Sequence, residues 1–271
     1  MRPAAAVLNG FFDALLYPLG WLPPVWGLLM ISILSGFGMI AVFKAVSDQD
    51  GISRLRRRMG GEILGILLHV SSPVAVMKFA GRLIWSNTVY LAILLKPLLV
   101  MAVPFVLVWG QLDSRYGAQG IPEDAAVTVT LQYDEDMPER DRLEISAEGL
   151  ELVPPVVMID TLGQASFRVA DTEGGTGRLR LDGLEAPVGS SAGWSGSRVI
   201  RGFDAAPSIW RLFTPHIDLV RRVPEGPVSG WYSLPGIDYR ILAWHWSWPA
   251  VFLVFSMLSA LAGARLFRVR I

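Results

Sequence analysis

The stretch WLPPVWGLLMISILSGFGMIAVF, residues 21–43, runs for 23 residues without a charge. No other feature limits so tightly what the chain can fold into. About 20 apolar residues in a helix match the hydrocarbon core of a bilayer, and a helix satisfies its own backbone polar groups there. Two further runs share the property. Residues 87–110 are interrupted only by Lys96, and residues 248–267 are charged only at Arg265. The three runs predict three transmembrane helices. Composition agrees, because 18% of residues are charged against about 25% in soluble domains. The first run is read as retained and not as a signal peptide: the basic cluster follows it, and no small-residue cleavage site stands out. Without cysteine there is no disulfide framework and no thiolate metal site.

Charge is distributed unevenly. Residues 44–82 carry seven Lys/Arg against three acids, and Arg265, Arg268 and Arg270 crowd the C-terminus. Residues 113–240 hold 20 Asp/Glu and 12 Arg. Lys/Arg bias in short loops sets orientation, so the 44–82 loop and the tail are expected in the cytoplasm, and the N-terminus and residues 113–240 outside. The expected segments are an amphipathic interfacial helix (1–20), span one (21–43), a cytoplasmic helical hairpin (44–86), span two (87–110), an outer domain (111–243), span three (248–267) and a tail (268–271). Val7, Phe11, Leu15 and Leu16 fall on one face of the first helix, which suits a membrane surface. Trp21, Trp109, Trp244, Trp246 and Trp248 would form an outer aromatic belt.

In the hairpin, Ile52, Leu55, Met59, Ile63, Ile66 and Val70 repeat at helical spacing. Ser72 and Pro73 open a second helix, running on into span two. Arg54, Arg56, Arg57 and Arg58 suit contact with lipid heads; the plainer reading makes them a topology signal alone. Residues 113–240 alternate in period two through AAVTVTLQY, RLEISAEGLELV, QASFRVAD and GRLRLDGLEA, between Gly, Pro, Asp and Ser turns. That pattern predicts an all-β, immunoglobulin-like antiparallel sandwich, with GIDYRILAW as a last strand leading to span three.

Chemical motifs are sparse. His69, His216 and His245 lie far apart, and no phosphate loop or dinucleotide fingerprint occurs. GSSAG surrounds Ser191 with the spacing of a nucleophile elbow, but it sits in a Gly/Ser-rich loop, and an elbow needs a strand-to-helix turn with His and acid partners. The acidic run 134–142 lacks ordered calcium-ligand spacing. No catalytic residue, metal site or cofactor is expected, and the acidic outer domain argues against nucleic acid as a partner.

Lys96 is the anomaly. It lies nine residues inside span two, followed by Pro97 and Pro104. Either it snorkels to the boundary, or it faces a cytoplasm-open groove with Ser86 and Asn87 on the approach. Small residues at four-residue spacing, Ser32/Gly36, Ser256/Ala260/Ala264 and Ser259/Gly263, predict close helix packing.

The order of an outside amphipathic helix (LNGFFDALLYPL), a span, a basic hairpin (48–82), a second span and an inside C-terminus resembles the YidC/Oxa insertase superfamily over about 130 residues. The resemblance implies a cation in a cytoplasm-open groove that attracts the polar tail of an incoming membrane protein. Lys96 would be its counterpart, although the superfamily cation often lies on the first span, which is uncharged here. The β domain between spans two and three departs from the small relatives. The chain also resembles bacterial three-span proteins with Lys-Pro in the second span, which implies the bacterial cytoplasmic (inner) membrane. The expected function is a non-enzymatic, insertase-like or scaffold role, with the lipid bilayer and other membrane or envelope proteins as partners. The alternatives are a membrane-anchored binding or sensing module and, last, a serine hydrolase through Ser191.

Overall fold

A computed structural model describes residues 2–121, 125–134, 145–171, 176–181, 184–190, 194–206, 212–223, 226–241 and 243–267. The chain forms two compact units. One comprises residues 1–30 and 107–252, the other residues 31–106 and 253–271. Among the described residues, three helices are long and apolar enough to cross a membrane: α2 (Pro24–Val46), α4 (Pro73–Tyr116) and α5 (Trp248–Leu266). Helix α1 (Arg2–Leu16) precedes them, and α3 (Gln49–Leu68) lies between α2 and α4.

Helices α2 and α4 start at proline, whose missing N–H costs nothing in a first turn. Asp48 caps α3, its Oδ1 accepting from Gly51 N at 2.8 Å. The chain then folds back. Gly65 of α3 lies under the ring of Phe79 in α4, where a Cβ would meet ring atoms at 2.7 Å. Helix α4 continues for 44 residues, about 66 Å at 1.5 Å per residue. The expected boundary between hairpin and span at 86/87 is therefore not a break. Pro97 and Pro104 lie inside the helix; each removes one ladder hydrogen bond without ending it.

Within the helical unit α2 and α5 approach closely. Gly36 has no room for a Cβ, because Ser259 Oγ and the Ser256 carbonyl occupy that space. Gly263 lies against Phe37 and Ile40, each 2.9 Å from where its Cβ would be. Ser32 is buried, and Lys44 Nζ donates to the Phe267 carbonyl at 2.9 Å, tying the helix ends together. Ala260 takes part in this contact through its backbone. Its side chain is only half-buried, whereas Ser259 and Gly263 are buried. Ala260 reaches the contact through its backbone nitrogen, 3.0 Å from where a Gly36 Cβ would be. Gly36 meets the Ser259 hydroxyl and the backbone of Ser256 and Ala260, while Gly263 meets Phe37 and Ile40.

The other unit is rich in strands: β1 (Ala126–Gln132), β2 (Ile145–Glu148), β3 (Leu150–Ile159), β4 (Gln164–Asp171), β5 (Thr176–Leu181), β6 (Leu184–Ser190), β7 (Val199–Ile200), β8 (Gly202–Asp204), β9 (Ile217–Leu219), β10 (Ser229–Tyr232), β11 (Asp238–Ile241) and β12 (Trp244–Ser247). One sheet has the order β3-β4-β1-β10-β8-β9, a second β2-β5-β6-β7, and β11 and β12 pair alone. Alternation buries Val127, Val129 and Leu131 of β1 together with Ala165, Phe167 and Val169 of β4. Leu179, Leu181, Leu184, Ala186 and Val188 of the second sheet join the same core. Each large side chain so buried contributes about 1.5–3 kcal/mol.

Two expectations for this unit need correction. The large sheet is mixed, since β8 and β9 run parallel and not antiparallel throughout. The GIDYRILAW region forms a hairpin, β11–β12, before α5 and not a single strand. Helix α1 has one packed side and one open side. Phe12 and Leu16 are buried, whereas Val7 and Phe11 are 72% and 60% exposed. The reason is polar: Asn9 and Asp13 share the inward side and find partners on α4.

Candidate functional site

Lys96 lies on an exposed flank of α4 and has no hydrogen-bond or ion-pair partner among the described residues. Leu95, Leu98, Leu99 and Val100 beside it are 51%, 63%, 61% and 44% exposed. The whole apolar stretch is open. Only 6% of the most apolar window of α4 is buried, against 33% for α2 and 28% for α5. The reason is the close α2–α5 contact: glycine and serine bring these two together and leave α4 with large side chains and little cover.

Lys96 is not brought together with Ser86 and Asn87. Nine residues at 3.6 per turn place Lys96 about half a turn round from Asn87 and ~13 Å along the axis. Asn87 lines a cleft between α3 and α4. Ser86 is buried and donates from Oγ to Glu62 Oε1 at 3.0 Å. Arg58 Nε donates to the same oxygen at 3.1 Å, so Glu62 joins the two helices of the hairpin. Ile63 and Val70, expected on the packed stripe, are 48% and 68% exposed, because Glu62 and Gly65 take the inward positions. Of the four arginines, Arg54 is 3.9 Å from Asp48 and Arg58 pairs with Glu62. Arg56 and Arg57 are exposed, with no ion pair among the described residues.

A second polar centre lies at the C-terminal end of α4. The Arg115 side chain is fully buried. It donates from Nη1 to Asp13 Oδ1 at 2.6 Å and from Nη2 to Gln111 Oε1 at 3.2 Å and the Asn9 carbonyl at 3.3 Å. Gln111 Nε2 donates to Asn9 Oδ1 at 2.7 Å. Asn9 and Asp13 on α1 thus meet Gln111 and Arg115 on α4, each pair four residues apart. That matched spacing was available in the sequence, which otherwise offers Arg115 only as a charge beyond a span. Nearby, Arg201 pairs with Asp113, and His216 Nδ1 stands 3.4 Å from the same carboxylate. Burial, then the Arg201 charge, push the imidazole down to about 4 against the pull of Asp113. His216 is therefore neutral at physiological pH, and this proximity is not an ion pair. Within the β-rich unit the cluster joins the C-terminal end of α4 to α1 and to the segments that carry Arg201 and His216.

Trp109 and Trp248 pack with ring centroids 4.8 Å apart, while Trp21 and Trp244 are 82% and 71% exposed. Ser191, most of the acidic run 134–142, and Arg268 and Arg270 lie outside the described residues. Among the described residues, no group of three or more His, Cys, Asp or Glu could hold a metal ion.

The class defined so far is a chain of three long apolar helices, a helical hairpin and a β-rich unit. No family model, curated protein or solved structure matches it.

Proposed function

We propose that the protein is a non-enzymatic, three-span protein of the bacterial cytoplasmic membrane with an insertase-like or scaffold role for other membrane proteins. The observation that carries this reading is the open flank of α4. A lysine in a lipid-exposed helix costs about 2.5–3.5 kcal/mol on insertion scales, and among the described residues nothing offsets that cost. A transmembrane segment of another protein, laid along Leu95, Leu99 and Val100 with an acidic or polar group opposite Lys96, would cover the apolar flank and neutralise the charge. The charge asymmetry supports an orientation with the hairpin in the cytoplasm and the β-rich unit outside. There we read that unit as an immunoglobulin-like sandwich in the broad sense of two sheets sharing one core. The resemblance to the YidC/Oxa superfamily agrees in layout, with the cation on the second span instead of the first.

The test is complementation of a deletion strain, with protein abundance checked by immunoblot. Lys96→Leu should accumulate normally and fail to restore function, and Lys96→Arg should retain much of it. Normal complementation by Lys96→Leu would end this reading. The second reading is a membrane-anchored binding or sensing module, in which the β-rich unit, with two sheets sharing one core, recognises an envelope partner and the membrane helices only hold it. Deleting residues 118–236 separates the two, since only the sensing role would be lost completely.

A further inference from the structure

A cleft of about 640 Å³ opens between α3 and α4, lined by Arg56, Gly60 and Ile63 on one side and Ile84, Asn87 and Thr88 on the other. Its size falls within the roughly 300–1,000 Å³ of small-ligand sites. Three features of the cleft are unexplained by the packing of the chain itself. Gly60 sits in mid-helix, where glycine costs about 1 kcal/mol relative to alanine, yet no atom lies within 4 Å of where its Cβ would be. Ile63 and Ile84 are 48% and 68% exposed at the rim. Arg56 contributes a guanidinium with no ion pair among the described residues.

We propose that this cleft seats one anionic phospholipid, its phosphate on Arg56 and the Asn87 side chain, its glycerol and upper acyl chain over Gly60, Ile63 and Ile84. Guanidinium and amide donors beside an apolar floor match the change of polarity along a phospholipid; the Thr88 hydroxyl already donates to the Ile84 carbonyl, 3.0 Å away. The position on α4 matches as well. Arg82 is the last charge before an uncharged run from 83 to 95, and Trp85, 65% exposed, is the residue type that anchors at headgroup level. The missing side chain at Gly60 leaves room for the glycerol. This site rests on α4 crossing a bilayer near Asn87 and is independent of Lys96, so it stands or falls apart from the insertase-like role.

The test uses the full chain in mild detergent with equimolar phosphatidylglycerol and phosphatidylcholine, and native mass spectrometry to count retained lipid. Phosphatidylglycerol should be retained in preference. Arg56→Gln should weaken that retention about tenfold, the scale of one charge-assisted contact, while Arg57→Gln, outside the cleft, changes it less than about twofold. Gly60→Leu should also lower retention with an unchanged melting temperature. If that variant loses its fold, the comparison of Arg56→Gln with Arg57→Gln still decides. Equal retention of both lipids, or equal effects of the two arginine substitutions, would overturn the proposal. So would displacement of the lipid by inorganic phosphate, which would mark a free-anion site, or by an acidic amphipathic peptide, which would mark a protein groove.

Discussion

Replacing Asp13 by alanine should destabilise the β-rich unit by an amount the geometry sets. The Arg115 side chain is 0% exposed and that of Asp13 is 50% exposed, with 2.6 Å between them. Removing one partner of a fully buried pair costs about 3–5 kcal/mol. Two facts reduce this. Water reaches the Asp13 side of the contact, and Arg115 keeps the Gln111 side chain and the Asn9 and Gly196 carbonyls as acceptors. About 2–3 kcal/mol remains, or a fall in melting temperature of roughly 4–12 °C for a unit of this size. Asp13→Asn keeps an acceptor and should lose about half as much. In the double variant Asp13→Ala/Arg115→Leu no charge is left buried, so it should recover most of the loss. The assay is thermal unfolding of the detergent-purified protein by near-ultraviolet circular dichroism. A shift of less than about 1 °C for Asp13→Ala would refute the reasoning, as would a double variant no better than the single one.

Two further outcomes follow from particular contacts. His216 is held neutral, with its folded value near 4 below the ~6.5 of an unfolded histidine. Its contribution is therefore complete above pH ~6.5 and is lost as the pH falls from there toward 4, by up to about 3 kcal/mol. His216→Gln should flatten the melting temperature between pH 6.5 and 4, and an unchanged slope would contradict this. Gly36→Leu should cost at least the 1–3 kcal/mol typical of overpacking, seen as loss of monodispersity or of melting temperature. Gly38→Leu should be nearly silent, because no atom lies within 4 Å of where its Cβ would be; comparable damage from both would mean that α2 and α5 do not meet at Gly36.

Local pattern was legible where one residue's neighbours in sequence decide its fate. The alternation of Val127, Val129 and Leu131 gave a strand with one buried face, and the uncharged runs gave the long helices. What failed were judgements that depend on a second element. The offset of Lys96 from Asn87 is not such a case, because nine residues at 3.6 per turn put them on opposite sides of one helix. The small residues of α5 marked a packing helix, but only the meeting with Gly36 decides that Ser259 is buried and Ala260 only half-buried. The hydrophobic face of α1 was legible, but the packed side was not, because it is set by Asn9 and Asp13 meeting Gln111 and Arg115 on another helix. Glu62 looked like one more hairpin charge because its partners, Arg58 and Ser86, include a residue on another helix. The parallel β8–β9 pair depends on a crossover between strands and has no local signature.

The proposed insertase-like role requires the Lys96 flank of α4 to receive an intramembrane protein segment. Leu99 and Val100 are three and four residues on from Lys96, the spacing that shares a helix face. A photocrosslinking amino acid at either position, in growing cells, reads directly what covers that face. Adducts with integral membrane proteins are expected at both positions, lost when Lys96 is also changed to leucine, and no adduct with another protein is expected from Ile40, which is 7% exposed. Adducts with lipid alone at Leu99 and Val100, the same with or without Lys96, would contradict that role.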